Sequence, residues 1–248
     1  LSARPSRKEY RKIKHHLFGI RSVKKKFSTG DWLKLANKKI IDIKKRKKVP
    51  ILVGGTGLYF KSLTEGLVNI PYIPIKYREK VRSLHKKIGG EKFFSRLIKL
   101  DPLVKKYIKS SDTQRSIRAY EVKYFTKKSI YLWFKETKPI YHQKDFYKIY
   151  IDFPKDKLQD RIHLRVQEMF KKGVISEVKK FNNLKVQKDN TAHKAIGIRE
   201  INEYLQKKIK LGDVIEKILI KTRQYAKRQR TWASKNMKKW RKIDPQKL

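Results

Sequence analysis

The stretch Pro50-Ile51-Leu52-Val53-Gly54-Gly55-Thr56-Gly57-Leu58-Tyr59-Phe60 runs from continuous apolar character into a glycine pair and then back to apolar residues. A short apolar run stopped by Gly-Gly fits a strand buried on both faces of a parallel sheet. Thr56 then opens a helix through Leu63. Upstream, Trp32, Leu33, Leu35, Ala36, Ile40, Ile41 and Ile43 recur mostly at three- and four-residue steps, which predicts a helix over 31–48 that closes in the basic run KKRKK. Helix, strand, glycine turn and helix in this order point to an α/β fold whose site lies at the carboxyl end of the strand.

Downstream of Gly66 the pattern changes. Pro71 and Pro74 bracket a polar linker, and helical patterns follow at 75–88, 92–99, 102–109, 112–126 and 129–136. The sheet resumes only at Phe146–Phe153, FYKIYIDF, an alternating run rich in β-formers that Pro154 ends. Residues 69–145 therefore read as a helical insertion between 1–68 and 146–248. The remainder is helical at 155–171, 174–181, 195–205 and 213–235, with Asp213 and Glu216 placed as a capping box at the start of the last helix.

Composition narrows the class of partner. Lys and Arg number 67 against 22 Asp and Glu, a formal charge of +45 that calls for a polyanion. A Lys-rich solvated surface accounts for part of that excess. With 39% hydrophobic and 11% aromatic residues and only 11 Gly and 8 Pro, the chain has the makings of a packed core. No cysteine is present, which excludes disulfides, cysteine zinc sites and thiol nucleophiles. No apolar run approaches the roughly 20 residues that span a bilayer. The opening LSARPSRKEYRKIKHH also lacks the apolar core of a signal peptide, so a cytoplasmic protein with no membrane partner is expected.

Several residues carry chemistry. Gly54 and Gly55 let backbone amides approach an anion, and Thr56 at the next helix start can donate to a ligand oxygen or simply cap the helix. No Gly-x-x-x-x-Gly-Lys-Ser/Thr loop occurs in the 248 residues. Asp112 is placed as an N-cap, so Gln114, Arg115 and Arg118 form one polar ridge suited to RNA phosphates and unstacked bases, or an ordinary solvated face. Arg165 borders the stripe Ile162, Val166, Met169 and could grip a diphosphate with its planar fork. In KTRQYAKRQRTWAS, Tyr225, Gln229 and Trp232 share a helix face and Arg223, Lys227 and Arg230 another, a pattern that suits phosphate contact with base stacking or aromatics packed as core.

The block PILVGGTGLYFKSLTEGL at 50–67 resembles the strand, turn and helix of the tRNA dimethylallyltransferases. Five further segments match that family in order: RPSRKEYRKIKHHLFGI near the start, DPLVKKYIKSSDTQRSIRAYEV at 101–122, RIHLRVQEMFKKGVISEV at 161–178, KAIGIREINEYL at 194–205 and TRQYAKRQRTW at 222–232. The resemblance implies a P-loop NTPase-like parallel-sheet core with an inserted helical domain. It implies transfer of a dimethylallyl group from dimethylallyl diphosphate to the N6 amine of the adenosine 3′-adjacent to the anticodon, in tRNAs reading codons that begin with U. It also implies a Mg²⁺ cofactor, a monomer, and an amino-terminal phosphate loop and Asp-Ser base segment expected ahead of Leu1.

Carried onto this sequence, the resemblance makes Thr56 and Arg165 catalytic and places Gly54 and Gly55 with them around the diphosphate. It assigns the tRNA anticodon stem-loop to Arg78, to Gln114, Arg115, Ser116, Ile117 and Arg118, to Lys194, Ala195, Ile196, Gly197, Ile198 and Arg199, and to Lys227, Arg228, Gln229, Arg230, Thr231 and Trp232. Two rivals are a prenyltransferase of free adenine nucleotides, which needs no basic insertion, and a catalytically silent RNA-binding remnant. An in-frame phosphate loop upstream in the gene separates the second from an enzyme. Binding to an anticodon stem-loop should fall steeply with salt, because phosphate contacts release counterions. Fluorescence titration at several salt concentrations checks this, and an affinity indifferent to salt removes the polyanion argument.

Overall fold

The computed structural model describes residues 5–247; the first four residues, where the amino-terminal segment and the first family match begin, lie outside them. The helices are α1 (Arg7–Lys12), α2 (Thr29–Lys45), α3 (Gly57–Thr64), α4 (Ile75–Ile88), α5 (Gly90–Leu100), α6 (Thr113–Thr126), α7 (Ile130–Lys135), α8 (Lys155–Lys171), α9 (Val174–Asn183), α10 (Ile198–Leu205) and α11 (Leu211–Asn236). Two short strands, β1 (Ile149–Ile151) and β2 (Arg241–Ile243), pair in parallel with Tyr150 opposite Lys242. The molecule is thus a mostly helical α/β protein with a small parallel sheet. No helix among the described residues is long and apolar enough to cross a membrane.

The chain divides into two compact units, Leu1–Phe60 with Phe146–Leu248, and Lys61–Asp145. In the first, α8 to α11 bury the positions that helical spacing stacks on one face. Ile162 and Val166 of α8 meet Val174 and Val178 of α9, Ile198 and Ile201 of α10, and Val214 and Ile218 of α11 in one cluster. In the second, Val81 of α4, Phe93 and Leu97 of α5, and Ala119, Tyr120 and Val122 of α6 close around Val104 and Ile108. Phe93 is wholly enclosed, with the Tyr120 ring 5.0 Å away.

Several expectations are corrected. Residues 50–55 form no strand: Val49, Ile51 and Val53 are 83%, 82% and 90% exposed. Apolar character marks a segment suited to burial in a sheet, but a ladder needs a neighbouring strand, and β1 takes β2 as its partner. The basic three-residue β2 gave no periodic signal. Helix starts also shift. Asp31 and Asp213 act three residues inside their helices, accepting the Ser28 and Lys210 backbone N–H groups at 3.0 Å each, so α2 and α11 begin two residues before the positions that periodicity gave. The segment 102–109 makes only a 3₁₀ turn, Pro102–Lys106, and α10 starts at Ile198 rather than 195.

Candidate functional site

In the first unit the glycine segment is held by the carboxyl half of α11. The Gln229 side-chain amide donates to the Gly55 carbonyl at 3.0 Å. The Trp232 ring lies so close to the backbone at residue 57 that a Cβ there would sit 2.3 Å from Trp232 Cε3. Side chains have no such room, and packing imposes the requirement for glycine at 57. One turn on, Tyr59 stacks on Trp32 of α2 at 4.2 Å, and Phe60 meets Trp240 edge to face at 5.6 Å. This aromatic clamp fixes the start of α3, where Thr56 is exposed and its carbonyl accepts the Tyr59 N–H at 3.0 Å.

The sheet reaches α11 as well. Asp152, just past β1, pairs with Arg230 at 3.4 Å, and its charge together with burial raises the Tyr150 phenol, burial being the larger cause. Arg165 lies on the exposed side of α8, while Ile162 and Val166 point inward. Of the α11 cluster, Lys227, Arg228 and Thr231 are exposed, whereas Gln229 and Trp232 are partly buried against the glycine segment.

The KAIGIR segment is built around a buried carboxylate. Gly197 adopts φ 106°, a left-handed conformation that favours glycine, and donates its N–H to Glu200 Oε2 at 2.9 Å. Lys221 of α11 reaches the other Glu200 oxygen. Burial alone would raise the Glu200 carboxyl, but the Lys221 ammonium and the backbone donors hold it below its ordinary value. Arg199 and Lys217 both donate to Glu203 at 3.0 Å, and those two bonds lower its pKa too. Lys194, Ala195 and Arg199 are exposed, Ile196 is half-buried, and Gly197 and Ile198 are enclosed.

In the second unit Asp112 caps α6, accepting the Arg115 N–H at 3.1 Å and its guanidinium at 2.5 Å. Gln114 and Arg115 are exposed, Ile117 half-buried, and Ser116 buried. Arg118 pairs with buried Glu121 at 3.4 Å, and Arg82 of α4 approaches the same carboxylate at 3.7 Å. Arg78, one turn before Arg82, is half-buried with its Nε enclosed. Asp152, Glu121, Glu200 and Glu203 were missed by sequence reasoning, although acids inside basic motifs, RAYE and GIRE, were a usable signal. Among the described residues no three His, Asp or Glu gather to hold a metal ion.

The family model for IPP transferase matches residues 1–236. The chain is 54% identical over 248 residues to the tRNA dimethylallyltransferase of Pelagibacter ubique, covering all of this chain and 79% of that protein. It is similar to the solved full-length tRNA isopentenylpyrophosphate transferase of Bacillus halodurans, with TM-score 0.63, 29% identity, and 97% of this chain and 74% of that one covered. It is also similar to a eukaryotic dimethylallyltransferase solved acting on tRNA, with TM-score 0.74 and 26% identity over 93% of this chain and 58% of that one.

Gly57→Ala should destabilise the fold by about 1–3 kcal/mol, the usual cost of overpacking, and should cost far less in a Trp232→Ala background that removes the clash. Urea unfolding of the single and double variants checks this. Equal costs in both backgrounds would deny the contact its role.

Proposed function

The chain belongs to the IPP transferase family, and on that premise we propose that it transfers a dimethylallyl group from dimethylallyl diphosphate to tRNA. The acceptor we assign is the N6 amine of the adenosine 3′-adjacent to the anticodon, in tRNAs whose codons begin with U. The observation that carries this reading is the family match running through residues 1–236, with the glycine segment clamped by α11 at its centre.

The chemistry asks specific things of these residues. An aromatic amine is a weak nucleophile, so the reacting atoms must be held close and in line. Its lone pair forms the new N–C bond to the allylic carbon. The C–O bond breaks with its electrons going to diphosphate, and the amine proton leaves to a base. Charge grows on the diphosphate as that bond lengthens. Gly54 and Gly55 backbone amides, the Thr56 hydroxyl and the Arg165 guanidinium are the donors we assign to it. The target base must leave the loop stack to enter such a pocket. Exposed Gln114 and Arg115, with Arg118, grip the anticodon stem-loop in this reading, and Lys194, Arg199, Lys227 and Arg228 add cationic contacts. The helical insertion at 69–145 serves RNA binding in this assignment, the protein acts as a monomer in the cytoplasm, and the Mg²⁺ implied by the resemblance is assigned to no residue of this chain.

The test follows labelled dimethylallyl into an anticodon stem-loop, with the full-length gene product as the enzyme. Arg165→Ala should lower turnover by about 100- to 1,000-fold while leaving stem-loop affinity within a few fold, because a donor to charge developing in the transition state acts on rate. A defect confined to RNA affinity would remove Arg165 from the diphosphate. Transfer to free adenine nucleotide as fast as to the stem-loop would favour the nucleotide-prenylating alternative.

A further inference from the structure

The second unit carries an aromatic surface that none of the proposed RNA contacts uses. Tyr107 follows the 3₁₀ turn Pro102–Lys106 and is 49% exposed. Its ring stacks on Tyr131 at 4.1 Å between centroids, with planes 23° apart. Tyr131 belongs to α7, is half-buried against the hydrophobic cluster of this unit, and meets Phe134 edge to face at 5.7 Å. Tyr107 is therefore supported from one side by a ring that packing holds in place.

The surroundings of Tyr107 are polar and cationic. It lines a groove of about 550 Å³ with Lys109, Ser111, Asp112, Gln114 and Arg115. The Asp112 carboxylate on this rim is engaged by the Arg115 guanidinium at 2.5 Å. Over the ring, the Lys106 ammonium stands 5.9 Å from the centroid, at the far limit of a cation–π contact and on a flexible stem that a planar ligand displaces. Inward, Val104 and Ile108 on either side of Tyr107 are buried in the core, so the backbone that presents the ring is anchored at both neighbouring turns.

A pre-ordered aromatic ring beside amide and guanidinium donors is the arrangement that takes an unstacked base: the ring supplies a face, Gln114 supplies edge contacts, and Arg115, Lys106 and Lys109 supply charge for the flanking phosphates. We propose that Tyr107 is a stacking platform for one unpaired nucleobase of the bound RNA, with Tyr131 as its support. This rests on the reading of the second unit as the tRNA grip and adds to it a contact that is apolar rather than ionic.

That difference makes the site separable from the charged contacts. The probe is an anticodon stem-loop with 2-aminopurine at successive loop positions, titrated against the intact chain at several salt concentrations. Tyr107→Leu keeps bulk over Tyr131 but has no π face. It should weaken binding by about fivefold to 150-fold, the worth of one base stack, abolish fluorescence quenching at one loop position, and leave the salt dependence and melting temperature as in the parent. Tyr107→Phe should restore both affinity and quenching. Arg115→Ala, by contrast, should flatten the dependence of log affinity on log salt by roughly 0.7 to 0.9, one phosphate contact. Parent-like affinity and quenching in Tyr107→Leu, with Arg115→Ala impaired, would overturn the platform and keep the electrostatic grip. A parent chain that binds no stem-loop would overturn both.

Discussion

A single added carbon at residue 57 would collide with the Trp232 ring, and this exclusion fixes where the glycine segment lies in its unit. With no strand formed at 50–55, ladder hydrogen bonds do not hold Gly54, Gly55 and Thr56. They are held by side chains of α11: Gln229 on the Gly55 carbonyl, Trp232 against Gly57, and Trp240 beyond the helix against Phe60. The α11 helix is itself fixed by Val214, Ile218 and Leu219 in the core of the first unit. The donors assigned to a departing diphosphate thus depend on a tertiary contact between two motifs about 170 positions apart, Gly55 and Gln229 being separated by 174.

Charge is managed by a few acids placed with care. The protein holds 22 carboxylates against 67 cationic side chains. Two of them are buried beside motif arginines and lysines: Glu121 between Arg82 and Arg118, and Glu200 between Lys221 and the Gly197 amide. Each buried carboxylate fixes the direction of the cationic partners that reach it. Arg118 is accordingly held at one end by Glu121, and Arg199 is held in the same way by the more exposed Glu203.

Much of this was legible from residue order. The bounds of α4 and α8 agree with the expected 75–88 and 155–171, because proline or glycine closes each end and the apolar stripe is unbroken. Asp112 caps α6 as its position ahead of a helical run indicated. What misled was local ambiguity. An acid near a helix start is equally consistent with the cap and with the third position, and Asp31 and Asp213 occupy the third. ILV before a glycine pair has the composition of a buried strand, yet Ile51 and Val53 are exposed, since composition does not specify a ladder partner. The site residues that were missed, Asp152, Glu121 and Glu200, act through tertiary partners at long range or on another helix, which helical periodicity does not encode.

The central claim is that this chain installs a dimethylallyl group on a tRNA adenosine. It is tested most directly by mass spectrometry of nucleosides from tRNA of cells with and without the gene. The account predicts that N6-dimethylallyl adenosine disappears next to the anticodon in tRNAs reading codons that begin with U and returns when the gene is restored. Undiminished modification at that position, with no second gene of the family in the cell, would contradict it.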